Sequence, residues 1–217
     1  MKRYKIERLH FISQETQNFT HQECILKALN GGVKWIQLRV KNKSDDEVYA
    51  IASEVKKMCG QFEDVTFIIN DYLSIAKELD LDGIHLGMTD TSTLVARHEL
   101  GDHKIVGGTA NTVEDIMFHY KNGVNYVGFG PYSHTLTKKN LSPILGTEGF
   151  KSALEALNKK SISVPIIAIG GIEKEDIKNI AQLGVHGIAL ASLINLNKSP
   201  THKSNEILQE IKILWKN

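Results

Sequence analysis

Short runs of β-branched and aliphatic residues recur along the chain, and each is followed by a longer segment in which apolar side chains return every three or four positions. The runs fall at 9–12, 35–40, 66–69, 83–86, 104–107, 126–130, 165–169 and 187–191 and predict strands. The helical patterns fall at 21–29, 45–59, 72–79, 92–100, 113–122, 150–157, 174–183 and 205–215. Strands and helices in strict alternation predict a (β/α)8 barrel, one domain over 1–217. A doubly wound sheet is the competing architecture. Against it, the runs continue without the large break that separates two mononucleotide-binding halves, and no GxGxxG opens a helix. Local signals agree: Asn111 or Thr112 can cap the helix carrying Glu114, and Gly31, Gly101, Gly123 and Gly184 follow helix ends as left-handed C-caps do. The stretch 198–203 reads as a spacer joining the eighth strand to its helix.

Composition narrows the partners. Twenty-six basic and twenty-five acidic residues leave a net charge of +1, so no global field draws the chain to nucleic acid or an anionic membrane. Any anion site must be local, and the expected ligand is a small molecule. Cys24 and Cys59 sit in helical patterns without a CxxC, which predicts reduced, half-buried thiols and a cytoplasmic protein. The first residues, MKRYKIERLHFIS, reach neither a signal-peptide apolar core nor a membrane-length run. Oligomeric state is left open, and a homo-oligomer is compatible with the sequence.

In a barrel, function gathers on the loops after the carboxyl ends of the strands. The second strand gives Gln37-Leu-Arg-Val-Lys41, whose alternation puts Gln37, Arg39 and Lys41 on one side and Leu38 and Val40 on the other. A planar guanidinium beside a compact ammonium suits a pyrophosphate, although an interior salt-bridge network would use the same residues. The third strand ends in Asn70-Asp71 and the fourth in Gly87-Met-Thr-Asp90. Each aspartate alone could be a helix N-cap; together, on neighbouring loops, they can share a Mg2+ ion whose remaining positions are filled by water and phosphate. His85 between them reads more simply as a packed histidine than as a catalytic one.

After the fifth strand, Gly107-Gly-Thr-Ala-Asn111 offers a hydroxyl at Thr109 and an amide. Gly170-Gly171 after the seventh strand and Ala191-Ser192 after the eighth can present backbone N–H groups to a phosphate monoester, although Gly-Gly also makes a tight turn. The polar loop after the sixth strand adds Thr135, Thr137, Lys138 and Lys139, too long and too charged for a tight turn. These residues imply a monophosphate pocket and a metal-assisted diphosphate pocket of Arg39, Lys41, Asp71, Asp90 and Lys138 on one face. A diphosphate held in that way is a leaving group, so the chemistry indicated is substitution at carbon with loss of pyrophosphate. No nucleophile is apparent, since neither cysteine lies at a strand end and Ser192 lacks a histidine base.

At QLRVK (37–41), IIND (68–71), DGIHLGMTD (82–90), the TxTK of 135–138, AIGGI (168–172) and ALAS (189–192), the chain resembles the thiamine phosphate synthase family across essentially the whole barrel. The resemblance implies an enzyme that joins 4-amino-5-hydroxymethyl-2-methylpyrimidine diphosphate to hydroxyethylthiazole phosphate, with Mg2+, giving thiamine phosphate and pyrophosphate by a dissociative route. It implies that Gln37, Arg39, Lys41 and Asn70 hold the pyrimidine diphosphate, that Asp71 and Asp90 ligate the metal, and that Lys138 meets the diphosphate. Thr135, Thr137, Gly171, Ala191 and Ser192 would bind the thiazole phosphate. Two departures stand out. The family's GxSxH loop reads Gly107-Gly-Thr-Ala-Asn111 here, so Thr109 keeps a hydroxyl but Asn111 replaces a histidine; and Pro131-Tyr-Ser-His134 differs from the commoner isoleucine-tyrosine-proline pattern. Thiazole tautomerase relatives, a silent phosphate-ligand-binding barrel and phosphosugar or tryptophan-pathway isomerases are the alternatives. None of them accounts for the Arg–Lys–Lys cluster together with both aspartates.

Overall fold

Alternating side chains divide every strand between two apolar environments, and the computed structural model, which describes residues 5–134 and 143–215, closes them into one cylinder. The strands are β1 (Leu9–Ile12), β2 (Trp35–Leu38), β3 (Thr66–Asn70), β4 (Gly83–Leu86), β5 (Ile105–Ala110), β6 (Tyr126–Phe129), β7 (Ile166–Ile169) and β8 (Gly187–Leu190). All pair in parallel in chain order, and β8 returns to β1 through Leu9–Ile188 and Phe11–Leu190, leaving no sheet edge. Ile12, Trp35, Ile68, Ile105, Tyr126 and Ile167 fill the interior. Residues one position away, such as Phe11, Ile36, Ile69, Val106 and Ile188, face outward and pack beneath the helices. Both faces are therefore buried, as parallel sheets require.

The helices are α1 (His21–Asn30), α2 (Asp45–Cys59), α3 (Leu73–Glu78), α4 (Thr93–Leu100), α5 (Val113–Lys121), α6 (Gly146–Lys159), α7 (Asp176–Gln182), α8 (Ser192–Asn195) and α9 (Pro200–Leu214). Thr20, Ser44 and Thr112 start α1, α2 and α5 with capping boxes, satisfying amides that would otherwise be orphaned. Of the two caps expected before Glu114, Thr112 is the one used. Among the described residues no helix is long and apolar enough to cross a membrane.

Three local expectations are corrected. Gly31 is right-handed (φ −80°), and it is Gly32 that takes the left-handed conformation (φ +94°). Gly31 instead lets α9 approach, because a Cβ there would lie 2.5 Å from Ser204 Cβ. The expected spacer at 198–203 is already helical from Pro200, whose missing N–H costs nothing at the first helical position. Between β8 and α9 lies the short helix α8, too brief for a periodic signal. The cysteines are buried rather than half-buried, with neither in a disulfide. Burial pushes the Cys24 thiol up to about 11, so it is inert at neutral pH.

Candidate active site

The carboxyl ends of the strands surround a cavity of about 440 Å3 lined by residues from all parts of the barrel. Gln37, Arg39 and Lys41 enter it from β2 and the loop beyond, while Leu38 and Val40 are buried on the opposite side. Gln37 Nε2 donates to Asn70 Oδ1 at 2.8 Å, tying β2 to β3 and leaving Gln37 Oε1 buried with no hydrogen-bond partner among the described residues. A buried acceptor of this kind is costly unless a ligand supplies the donor. The Arg39 main-chain N–H donates to Ser13 Oγ at 3.1 Å, while its guanidinium makes no hydrogen bond among the described residues. The guanidinium is largely buried, which lowers its pKa, while the Asp71 and Asp90 carboxylates act in the opposite direction.

Asp71 and Asp90 meet at this mouth. Asp71 follows β3 in the left-handed conformation (φ +71°), a region that aspartate tolerates better than most residues, and its N–H donates to His85 O at 3.0 Å. Its carboxylate accepts from Lys41 Nζ. The lysine side chain is 47% exposed, so this ion pair is worth at most about 1 kcal/mol and is readily exchanged for a phosphate. Asp90 Oδ2 accepts from Gly87 N–H at 2.6 Å. Burial and the neighbouring Asp71 carboxyl raise the Asp90 pKa. Neither aspartate caps a helix: the N-cap of α3 is Tyr72, whose side chain makes no cap bond, and α4 is capped by Ser92. Two hard oxygen donors that repel one another fit a divalent cation, and Mg2+ usually takes only one or two protein carboxylates. No cluster of three or more His, Cys, Asp or Glu suited to a metal occurs among the described residues.

On the far wall, the loop after β6 crosses the end of β7. Tyr132 N–H donates to Ile169 O and Ser133 N–H to Gly170 O, both at 2.9 Å. A Cβ on Gly171 would lie 2.2 Å from His134 O, so this glycine serves the crossing as well as the turn. The N–H groups of Gly171, Ser192 and Leu193 donate no hydrogen bond among the described residues, and Gly171 and Ser192 line the cavity with Ala191. Of the expected site residues, Gln37, Arg39, Lys41, Asn70, Asp71, Asp90, Thr109, Gly171, Ala191 and Ser192 line this one cavity. Thr135, Thr137 and Lys138 lie outside the described residues.

The other liners include His85, Asn111 and Gly170. His85 bonds Tyr126 and Thr109 on its two ring nitrogens, in keeping with its reading as a packed histidine, yet it also reaches the cavity wall. Asn111 donates to Gly130 O and holds the loop after β5 to the end of β6. Gly170 contributes the turn itself.

A family model described as thiamine monophosphate synthase matches residues 9–194. The chain belongs to the thiamine monophosphate synthase family. A thiamine-phosphate synthase of Bacteroides fragilis is 45% identical over 200 residues, spanning 92% of this chain and 98% of that one. The Bacillus cereus protein of the same name is 34% identical over 215 residues, 97% and 95% of the two chains. Thiamine phosphate pyrophosphorylase from Pyrococcus furiosus superposes with a TM-score of 0.84 at 26% identity, covering 96% of this chain and 97% of that one. The family match runs from β1 into α8.

Proposed function

We propose that this chain couples 4-amino-5-hydroxymethyl-2-methylpyrimidine diphosphate to hydroxyethylthiazole phosphate, forming thiamine phosphate and pyrophosphate, with Mg2+ bound by Asp71 and Asp90. The observation that carries the proposal is the convergence of Arg39, Lys41, Asp71 and Asp90 on the cavity whose other wall carries Gly171, Ala191 and Ser192. The Arg39 fork, uncommitted among the described residues, and the exchangeable Lys41 ammonium receive the diphosphate, joined by Lys138. Charge that builds on the departing oxygens is met by donors already in position, which is how such sites lower barriers. Bound Mg2+ supplies further neutralisation of the diphosphate.

Gln37 and Asn70, buried and joined to each other, orient the pyrimidine ring; Thr109 lines the same wall. The thiazole phosphate takes the backbone N–H groups around Gly171 and Ser192, with Thr135 and Thr137. Departure of pyrophosphate leaves a pyrimidine methylene cation, and the thiazole nitrogen captures it: one C–O bond breaks, one C–N bond forms, and the leaving group keeps the electron pair. No protein nucleophile is required. Both cysteines sit on helices, Cys24 in α1 and Cys59 at the end of α2, and neither lines the cavity.

The retained diphosphate set favours coupling over tautomerisation of a thiazole. The test is mass-spectrometric detection of thiamine phosphate from purified protein given both substrates and Mg2+. Isomerisation of a thiazole phosphate without coupling would replace the proposal with the tautomerase reading, and tight binding without reaction would indicate a silent binder.

A further inference from the structure

Tyr126, His85 and Thr109 form a line of polar side chains running from the barrel interior to the cavity wall. Tyr126 on β6 is fully buried, and its hydroxyl lies 2.8 Å from His85 Nδ1, the one hydrogen bond it makes among the described residues. The two rings stack with centroids 5.5 Å apart and planes 23° apart. Gly107 creates the space for this ring, because a Cβ there would lie 2.1 Å from Tyr126 Cζ. The other imidazole nitrogen, His85 Nε2, lies 2.9 Å from Thr109 Oγ1, and both His85 and Thr109 reach the cavity.

For the neutral imidazole two proton arrangements fit these distances, and they differ in cost. With the proton on His85 Nδ1, the Tyr126 oxygen accepts it and the phenolic O–H is left with no acceptor within hydrogen-bond distance among the described residues. A buried donor left unpaired carries its full desolvation penalty. With the proton on Nε2, Tyr126 donates to Nδ1, Nε2–H donates to Thr109 Oγ1, and every donor in the line is used except the threonine hydroxyl proton. Burial keeps the Tyr126 phenol protonated, so it has that proton to give.

We propose that Tyr126 is a positioning residue: through His85 it fixes the imidazole as the Nε2–H tautomer and so commits the Thr109 hydroxyl proton to an acceptor on the bound ligand. Thr109 is then a pre-set donor rather than a free rotor, and binding need not order it. Naming the acceptor as part of the pyrimidine diphosphate rests on the synthase reading; the proton placement rests on the barrel geometry alone.

The test has two readouts. The first is nitrogen-15 imidazole NMR of the intact, histidine-labelled protein at neutral pH, with the His85 signals assigned by their loss in His85→Gln or by their shift in Tyr126→Phe. The expected result is a bare Nδ1 and a protonated Nε2, whatever reaction the protein catalyses; a protonated Nδ1 overturns the proposal. The second is a kinetic cycle. Thr109→Val and Tyr126→Phe should each lower kcat/KM for the pyrimidine diphosphate by about tenfold, the size of one lost hydrogen bond, and the double variant should lose no more than the worse single. Losses that multiply mean that Tyr126 does not act through Thr109 and overturn the proposal. If the pyrimidine diphosphate is bound but not turned over, the synthase reading fails, and the same cycle is read on its dissociation constant.

Discussion

Burial and the Asp71 carboxyl together hold the Asp90 pKa above its ordinary value at the rim of the cavity, where the two residues are carried by the loops after two adjacent strands. Removing one of them should spare the fold, because neither caps a helix or supports the core. Asp90→Asn is expected to raise the Mg2+ concentration needed for half-maximal turnover by at least tenfold while leaving the melting temperature within a few degrees. A Mg2+ titration of pyrophosphate release checks this, and an unchanged requirement would move the metal elsewhere.

The same pair predicts a pH dependence. The Asp90 pKa is raised by burial and by Asp71, so the folded protein holds this proton more tightly than the unfolded chain. Its contribution to stability is therefore present below the ordinary carboxylate range and falls as pH rises through the raised value. A bound cation favours the ionised form and reverses the sign. Thermal melts from acid to neutral pH should show stabilisation by Mg2+ growing as pH rises through that window. Stabilisation that is flat in pH would contradict the assignment.

Arg39 and Lys138 are expected to act on the transition state more than on substrate binding. Removal of one preorganised donor to developing charge costs roughly 3–4 kcal/mol. Arg39→Ala and Lys138→Ala should each lower kcat by about a hundredfold or more, with folding judged intact by circular dichroism. A change confined to KM would make either residue a simple anion anchor.

Packing gives a prediction independent of the chemistry. At Gly107 an added methyl would lie 2.1 Å from Tyr126 Cζ, and the ring is fully enclosed. Gly107→Ala should destabilise by about 1–3 kcal/mol or more, because an overpacked barrel interior cannot yield without moving backbone. Chemical denaturation measures this, and a neutral result would show the interior to be looser than described.

Much of the architecture was legible because a barrel strand buries both faces and a barrel helix only one, so their periodicities differ. β4 and α2 fall on the predicted bounds, and the Gln37, Arg39, Lys41 alternation points the polar set inward. Boundaries failed where pattern is silent. α6 begins at Gly146, ahead of its first core residue, Phe150, and α8 is four residues long. The Tyr126–His85–Thr109 line was not legible, because its members lie 41 and 24 positions apart and meet only through the barrel register. The second use of Gly171 was hidden for the same reason, since the loop it accommodates comes from another strand.

The most direct measurement is pyrophosphate release by the purified protein, with the pyrimidine diphosphate alone and with the thiazole phosphate added, in Mg2+ and in chelator. The account predicts release that needs both substrates and Mg2+, matched mole for mole by thiamine phosphate. Release without thiamine phosphate, or none with both substrates bound, would contradict it.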